Sequence, residues 1–395
     1  MLTGKHILLG ITGGIAAYKT ANLASMLAKL HADVHVIMTK NAQKIISPVV
    51  FEALTGNRVV DDVFARDSGY QVAHIAMAQE ADVVMIAPAS ANMIAKLANG
   101  IADDMLSTTM LAVTAPVYIV PAMNTHMLEH AATQSNLEKL RSYGYHIVEP
   151  ASGFLACGDT GKGKMPEADV LLEYLLYEAA CPKDLAGKKV LITAGPTTEA
   201  IDPVRFISNH STGKMGYALA KNAVRRGAQV TLVSGPVHLP APAGVRMIPV
   251  TTAQEMYEAV DTHFDRQDIV VMSAAVADYR PKDIAEEKIK KSDAAVMLEL
   301  ERTKDILGSM SARKNGQFLC GFSMETEHML ENSRAKLENK HLDMIVANNL
   351  RMEGAGFGTD TNIITMITKD QVRELPKMSK EAAAHAIFDQ IVTFL

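Results

Sequence analysis

Several stretches of this 395-residue chain place reactive or ligand-holding side chains among small residues and glycine. Cys157 lies in Gly153-Phe-Leu-Ala-Cys157-Gly-Asp-Thr-Gly-Lys-Gly-Lys164, which has the glycine density of a mobile lid able to carry a thiol onto a substrate. Cys320 sits in an apolar run and reads as core, Cys181 as part of a linker. Three scattered cysteines make neither a disulfide framework nor a paired-cysteine zinc site. Near the start, Thr12-Gly13-Gly14 follows an apolar run and precedes a helical stretch, where free backbone N–H groups can meet an anion. The spacing Gly10-Ile-Thr-Gly13-Gly14 is not the dinucleotide fingerprint, and the next strand ends in Thr39-Lys40 instead of a ribose-binding acid. A mononucleotide suits it better, although a tight strand-to-helix turn accounts for the glycines equally well. Pro88-Ala-Ser90-Ala-Asn92 and Pro121-Ala-Met-Asn124-Thr-His-Met127 follow successive strands. Serine and asparagine there cap helices as readily as they hold a ligand, and His74, taken alone, is as readily structural as basic.

The second half carries its own constellation. Gly195-Pro-Thr-Thr-Glu199 runs through Asp202-Pro-Val-Arg205 and Ser208-Asn209-His-Ser-Thr-Gly213 to a helix expected over Tyr217–Arg226, a polar loop long enough to suggest function. Ser273-Ala274-Ala275-Val-Ala-Asp278 follows a strand, and Glu286-Glu287-Lys288-Ile-Lys290-Lys291 is either a solvated face or a counter-charge for polyphosphate. Lys336 and Lys340 are four apart, hence on one helix face.

These residues need a frame. β-rich apolar runs at 6–11, 34–38, 83–87, 117–120 and 146–148 alternate with helical patterns, as do runs at 190–194, 230–234, 269–273, 318–322, 344–347 and 363–367. That rhythm predicts two α/β domains built on parallel sheets. Lys5-His-Ile-Leu-Leu-Gly parallels Lys188-Lys-Val-Leu-Ile-Thr, which suggests shared architecture. Cys181-Pro-Lys-Asp-Leu-Ala-Gly187 punctuates the junction, so the expected domains are 1–187 and 188–395. A net charge of −5 excludes a broadly basic nucleic-acid or membrane-surface binder. No apolar run reaches the roughly 18 residues of a membrane span, and the opening run is too short for a signal peptide, so a cytoplasmic location is expected.

Together these segments resemble the bacterial bifunctional phosphopantothenoylcysteine decarboxylase and phosphopantothenate–cysteine ligase family over essentially the full length. The resemblance rests on Gly10-Ile-Thr-Gly-Gly-Ile-Ala-Ala-Tyr-Lys19, His74, Pro88–Asn92, Pro121–Met127 and the segment around Cys157, and on Ser273–Arg280, Lys288–Lys291, Gly321-Phe322 and Lys336–Lys340. Met93 stands where the family usually has threonine, and Leu128 where it has tryptophan. The resemblance implies a flavodoxin-like decarboxylase domain followed by a Rossmann-like ligase domain, acting in coenzyme A synthesis. It implies that FMN, held by Gly13, Gly14, Thr39, Ser90 and Asn92, oxidises the substrate thiol toward a thioaldehyde, so that sulfur can accept the electrons left when carbon dioxide departs. His74 would assist that oxidation, Asn124 would hold the substrate carboxylate, and Cys157 would donate a proton during the reductive half. In the ligase half it implies that CTP with Mg²⁺ activates 4′-phosphopantothenate as an acyl-cytidylate, from which the amine of L-cysteine displaces CMP. Ser273, Ala274, Ala275, Asp278, Lys288, Asp305, Ile306, Leu307, Gly308, Phe322, Lys336 and Lys340 would contact CTP, and Asn209 would handle the acyl intermediate. Mg²⁺ would sit largely on phosphate oxygens, with no protein ligands identified. A homo-oligomer is implied, with a trimer-based decarboxylase core and dimeric ligase domains.

Three rival readings meet objections in the sequence. Another flavoprotein decarboxylase is opposed by the ligase motifs, a non-catalytic flavin-binding regulator by the joint presence of His74, Asn124 and Cys157, and an NAD-dependent oxidoreductase by the missing fingerprint.

Overall fold

The structure, a computed structural model, describes residues 1–64, 73–154, 156, 158–290, 297–325, 328–349 and 358–395. The chain divides into two compact units, Met1–Cys181 and Pro182–Leu395.

The first unit is built on five parallel strands in the spatial order Asp33–Met38, His6–Ile11, Val83–Ala89, Val117–Pro121, His146–Ile147. In chain order this is 2-1-3-4-5, the flavodoxin-like arrangement. Strand His6–Ile11 is apolar on both faces, which dictates cover on both sides. Ile7, Leu9 and Ile11 enter a cluster with Leu23, Leu27, Leu171 and Leu175. Leu8 enters the opposite cluster with Ile94, Leu106 and Leu140. Helix Ala17–Lys29 buries Leu23, Ala24 and Leu27, the three-and-four spacing of one helical face. The strand order reverses between His6–Ile11 and Val83–Ala89, and ligands in such sheets bind outside the carboxyl ends at that point.

The second unit has an eight-stranded sheet in the order Val245–Pro249, Gln229–Ser234, Lys189–Ala194, Ile269–Met272, Phe318–Glu325, Met344–Asn349, Ile364–Thr368, Val372–Glu374. Its first six strands are parallel and follow the order 3-2-1-4-5-6 of a Rossmann sheet; the last two are antiparallel additions. Val190, Ile192 and Ala194 pack against Leu219, Ala223, Ile387 and Ile391 on one face. Leu191 packs with Met256, Val260 and Met310 on the other.

Two features depart from the sequence reading. The segment read as a polar loop after Gly195 contains an antiparallel ribbon, Thr198–Ala200 with Phe206–Ser208. Its turn is tied by Asp202, whose buried carboxylate accepts the Val204 and Arg205 backbone N–H groups, each at 2.8 Å, and the Arg205 guanidinium. The following helix is Lys214–Arg225, starting three residues earlier than the expected Tyr217 because Gly213 supplies a left-handed N-cap at φ 75°.

Just past that helix, Arg226 is 1% exposed. Its guanidinium donates to Asn222 Oδ1 at 3.1 Å, to Asp184 Oδ2 at 2.8 Å and to Asp389 Oδ1, tying the unit's first loop to helix Lys380–Val392. Among the described residues, no helix is long and apolar enough to cross a membrane.

Candidate active sites

At the carboxyl edge of the first sheet, four loops meet. Thr12 follows the first strand; its Oγ1 donates to Pro88 O at 2.6 Å and accepts from Ser90 N at 2.9 Å, joining the two strands that flank the switch point. Gly13 and Gly14 are there because the approach is close. A Cβ on Gly13 would lie 2.6 Å from Asn41 Cβ, and one on Gly14 would lie 3.3 Å from Pro88 Cγ and 3.8 Å from Ala122 O. Thr39 N donates to Ile11 O at 3.0 Å, so the loop after the neighbouring strand joins the same edge. Ser90 caps helix Ala91–Asn99 by accepting from Met93 N at 3.3 Å, and Asn92 is exposed on its first turn.

Asn124 caps helix Thr125–Glu129, its Oδ1 accepting from His126 N at 2.9 Å while its Nδ2 donates to Asp159 Oδ2 at 3.0 Å. Asp159 precedes strand Thr160–Lys164, which pairs with Ala151–Phe154 in an antiparallel ribbon. That ribbon is fastened to the Asn124 loop at three points. Met123 N donates to Gly163 O at 3.1 Å, Thr125 Oγ1 donates to Lys162 O at 2.8 Å, and Gly161 packs on the Thr125 side chain. Cys157, between the two strands in sequence, lies outside the described residues, as does Lys291. His74 is the second residue of helix Ala73–Glu80, and its Nδ1 is shielded from solvent without a hydrogen bond. Gly163 is the narrowest point of the fastening. It has φ 130°, and a Cβ there would sit 2.1 Å from Met123 O. Gly163→Ala is therefore expected to lift the ribbon from the Asn124 loop and lower the activity of the N-terminal site by at least tenfold, read as product formed per minute. Ligand turnover in the second unit serves as the control and should not change.

In the second unit a cavity of about 550 Å³ opens at the carboxyl edge. Its wall includes Thr193 from the first strand of the sheet, Ala274 and Asp278 after the fourth, Phe322 from the fifth, and Asp305, Ile306 and Leu307 at a helix start. Four cationic side chains, Arg302, Lys304, Lys336 and Lys340, face two carboxylates, Asp278 and Asp305. Asp305 caps helix Ile306–Ala312 through Gly308 N at 3.0 Å and pairs with Lys340 at 2.8 Å. Burial works to raise the Asp305 carboxyl, but Lys340 and the Gly308 N–H hold it below its ordinary value. Lys336 donates to Phe322 O at 3.1 Å, and Lys304 stands 4.5 Å from the Tyr257 ring centre. Nearby, helix Lys214–Arg225 closely approaches the ends of the first and fourth strands. Only glycine fits at Gly216, where a Cβ would lie 2.4 Å from Ala194 Cβ and 2.9 Å from Ser273 Oγ. Asn209 Nδ2 donates to Ala275 O at 2.9 Å, linking the ribbon loop to the turn beside the cavity.

Residues 1–179 match the flavoprotein family model, and residues 185–395 match the DNA/pantothenate metabolism flavoprotein C-terminal domain. The coenzyme A biosynthesis bifunctional protein CoaBC of Bacillus subtilis is 49% identical over 99% of this chain and 97% of its own length. Its counterpart in Vibrio cholerae is 47% identical over 99% of this chain and 98% of its own. The chain belongs to the bifunctional CoaBC family. A crystal structure of the C-terminal domain of a CoaBC is 46% identical over 54% of this chain and 97% of that chain, with a TM-score of 0.47.

Gly13, Gly14, Thr39 and Ser90 gather on one sheet edge, with Asn124 on the loop after the next strand. Of the nucleotide candidates, Ala274, Asp278, Asp305, Ile306, Leu307, Phe322, Lys336 and Lys340 line one cavity; Ser273, Ala275 and Gly308 adjoin it in sequence. Lys288 is not on that wall. It is exposed, and the chain beside it is pinned elsewhere, with Ile289 N donating to Asp202 Oδ2 at 3.2 Å and Arg205 Nη2 donating to Ile289 O at 2.8 Å. Burial and the nearby Asp343 raise the Cys320 thiol, consistent with a core role. Arg302, Thr303 and Lys304 escaped the sequence reading. Two cations immediately before a capping Asp305 were the signal available.

Proposed function

We propose that this CoaBC chain joins L-cysteine to 4′-phosphopantothenate with CTP and Mg²⁺, and decarboxylates the product to 4′-phosphopantetheine with FMN. The observation that carries the reading is the near-full-length identity to curated CoaBC proteins, with each half matching a different family model. Coenzyme A biosynthesis by a fused flavoprotein decarboxylase and ligase follows from membership; the nucleotide, metal and residue roles are our assignment. A homo-oligomer in the cytoplasm belongs to the same proposal.

For the first site, the fit to FMN rests on the Gly13–Gly14 approach at the switch point, where a side chain would meet Asn41 and Pro88, and on the dry, unbonded Nδ1 of His74. FMN when bound supplies a two-electron acceptor for the substrate's thiol-bearing carbon. Gly13, Gly14, Thr39, Ser90 and Asn92 would hold it. His74 Nδ1 is the group available to take the substrate proton, and Asn124, already ordered by His126 N and Asp159, offers its amide to the carboxylate that is lost. Cys157 would donate a proton to the substrate-derived ene-thiolate as it is reduced.

For the second site, four cations around the cavity, partly offset by Asp278 and Asp305, counter part of the charge of a triphosphate, and Lys336 and Lys340 approach it from the end of one helix. Neutralising the phosphate chain makes pyrophosphate a better leaving group when the carboxylate attacks. Asn209, held to Ala275 O, presents an amide to the acyl intermediate as the cysteine amine displaces CMP. Lys288 stands off the cavity wall, and its part in the ligase half rests on the family resemblance alone. Lys336→Met removes one charge-assisted contact, worth about 1.5–3 kcal/mol. The expected result is a rise of roughly 10- to 100-fold in KM for CTP, with decarboxylation of supplied phosphopantothenoylcysteine unchanged.

The deciding experiment supplies the purified protein with phosphopantothenate, cysteine, CTP, Mg²⁺ and FMN. CMP, carbon dioxide and phosphopantetheine should all appear. Absence of CMP sinks the ligase half; CMP without carbon dioxide sinks the decarboxylase half.

A further inference from the structure

The amino ends of the strands, on the far side of the first sheet from the Gly13–Gly14 edge, hold a cluster that neither reaction uses. His6 opens the first strand and Asp33 the second, and the two face each other in the parallel register. His35 is two residues beyond Asp33, so its side chain shares that face of the strand. His6 Nδ1 lies 3.1 Å from Asp33 Oδ2, and His35 Nε2 lies 3.3 Å from the same oxygen. All three atoms fall within 4.8 Å of one another.

We propose that His6 Nδ1, Asp33 Oδ2 and His35 Nε2 form a binding site for a divalent transition-metal ion of the zinc, cobalt or nickel class. A tetrahedral ion with bonds of about 2.0–2.1 Å sets its ligand atoms roughly 3.3 Å apart. The two nitrogen–oxygen edges are already close to that length, and the third, between the ring nitrogens, is no more than 4.8 Å. A second observation points the same way. His6 Nδ1 is shut off from solvent and makes no hydrogen bond, although it stands beside a carboxylate. The carboxylate is oriented from behind. Asn57 Nδ2 donates to Asp33 Oδ1 at 2.6 Å and is itself fixed at 3.0 Å from Val34 O, which leaves Oδ2 for the ion. Such outer partners are what hold metal ligands in place. Two imidazoles and one carboxylate select zinc, cobalt or nickel over magnesium and calcium, which prefer all-oxygen shells. Three protein ligands leave one position for water. The strands rise about 3.3 Å per residue, so the ion would sit nearly 20 Å from the flavin edge, where it would brace the first two strands without entering the chemistry.

The test uses the full-length chain, stripped of metal with a chelator and dialysed. Zn²⁺ is then titrated calorimetrically into the parent, His6→Gln and His35→Gln proteins, with millimolar Mg²⁺ present throughout. The parent should bind one equivalent per chain more than either variant, and Zn²⁺ should raise its Tm while leaving theirs unmoved. Equal stoichiometry in all three overturns the site. Should a variant fail to fold, parent crystals soaked in Zn²⁺ decide: an anomalous peak among the three side chains supports the proposal, and its absence overturns it.

Discussion

Replacing Asn209 by alanine should cut amide formation by about 10²- to 10³-fold, the size expected when one preorganised donor to a developing oxyanion is removed. The Nδ2 group donates to Ala275 O at 2.9 Å and so ties this side chain to the turn after strand Ile269–Met272. Alanine removes that tie and leaves the strand intact. The assay is formation of phosphopantothenoylcysteine from cysteine, CTP and phosphopantothenate, run beside carbon dioxide release from supplied phosphopantothenoylcysteine. The first should collapse and the second should hold, because the decarboxylase residues lie in the other unit, Met1–Cys181. Parallel loss of both activities would refute the assignment.

The largest effect on stability is expected at Arg226. Removing one partner of a buried ion pair typically costs about 3–5 kcal/mol, and Arg226→Met would leave Asp184 and Asp389 without their shared cation. Their side chains are 26% and 49% exposed, so water compensates in part, and the low end, about 3 kcal/mol, is expected. Urea unfolding followed by far-UV circular dichroism should show an earlier transition for the Pro182–Leu395 unit and an unshifted one for Met1–Cys181. An unchanged midpoint would mean that the methionine packs as well as the network it replaces.

How legible these features were depended on what each residue had to satisfy. Strands such as His6–Ile11 and Lys189–Ala194 announce themselves because burial on both faces demands an unbroken apolar run. Val245–Pro249 did not, because it is half-exposed and carries Arg246. The ribbon Thr198–Ala200 with Phe206–Ser208 was hidden for another reason. It is held by Asp202 and backbone bonds, so its sequence reads as loop. At the sites, Ser90 and Asn124 illustrate a limit of residue type. Both cap helices, and capping and ligand holding ask for the same side-chain oxygen. Asp305 was reached through the family resemblance alone, whereas Arg302 and Lys304 depended on where strand Leu300–Arg302 delivers them. Lys288 shows the converse. A run of charges announces potential, but the tether at Ile289 decides where it points.

The antiparallel additions to the second sheet have a consequence for solubility. A parallel sheet ending at Met344–Asn349 would offer a buried-type apolar strand as its rim, a template for a stray chain. Ile364–Thr368 covers that rim, and the outermost strand is only Val372-Arg-Glu374, exposed throughout and charged at two of its three positions. Short charged borders recruit foreign strands poorly. At the other border Val245–Pro249 ends in a proline that has no N–H to lend. Both margins of the sheet therefore discourage fibril-like stacking when many copies crowd together.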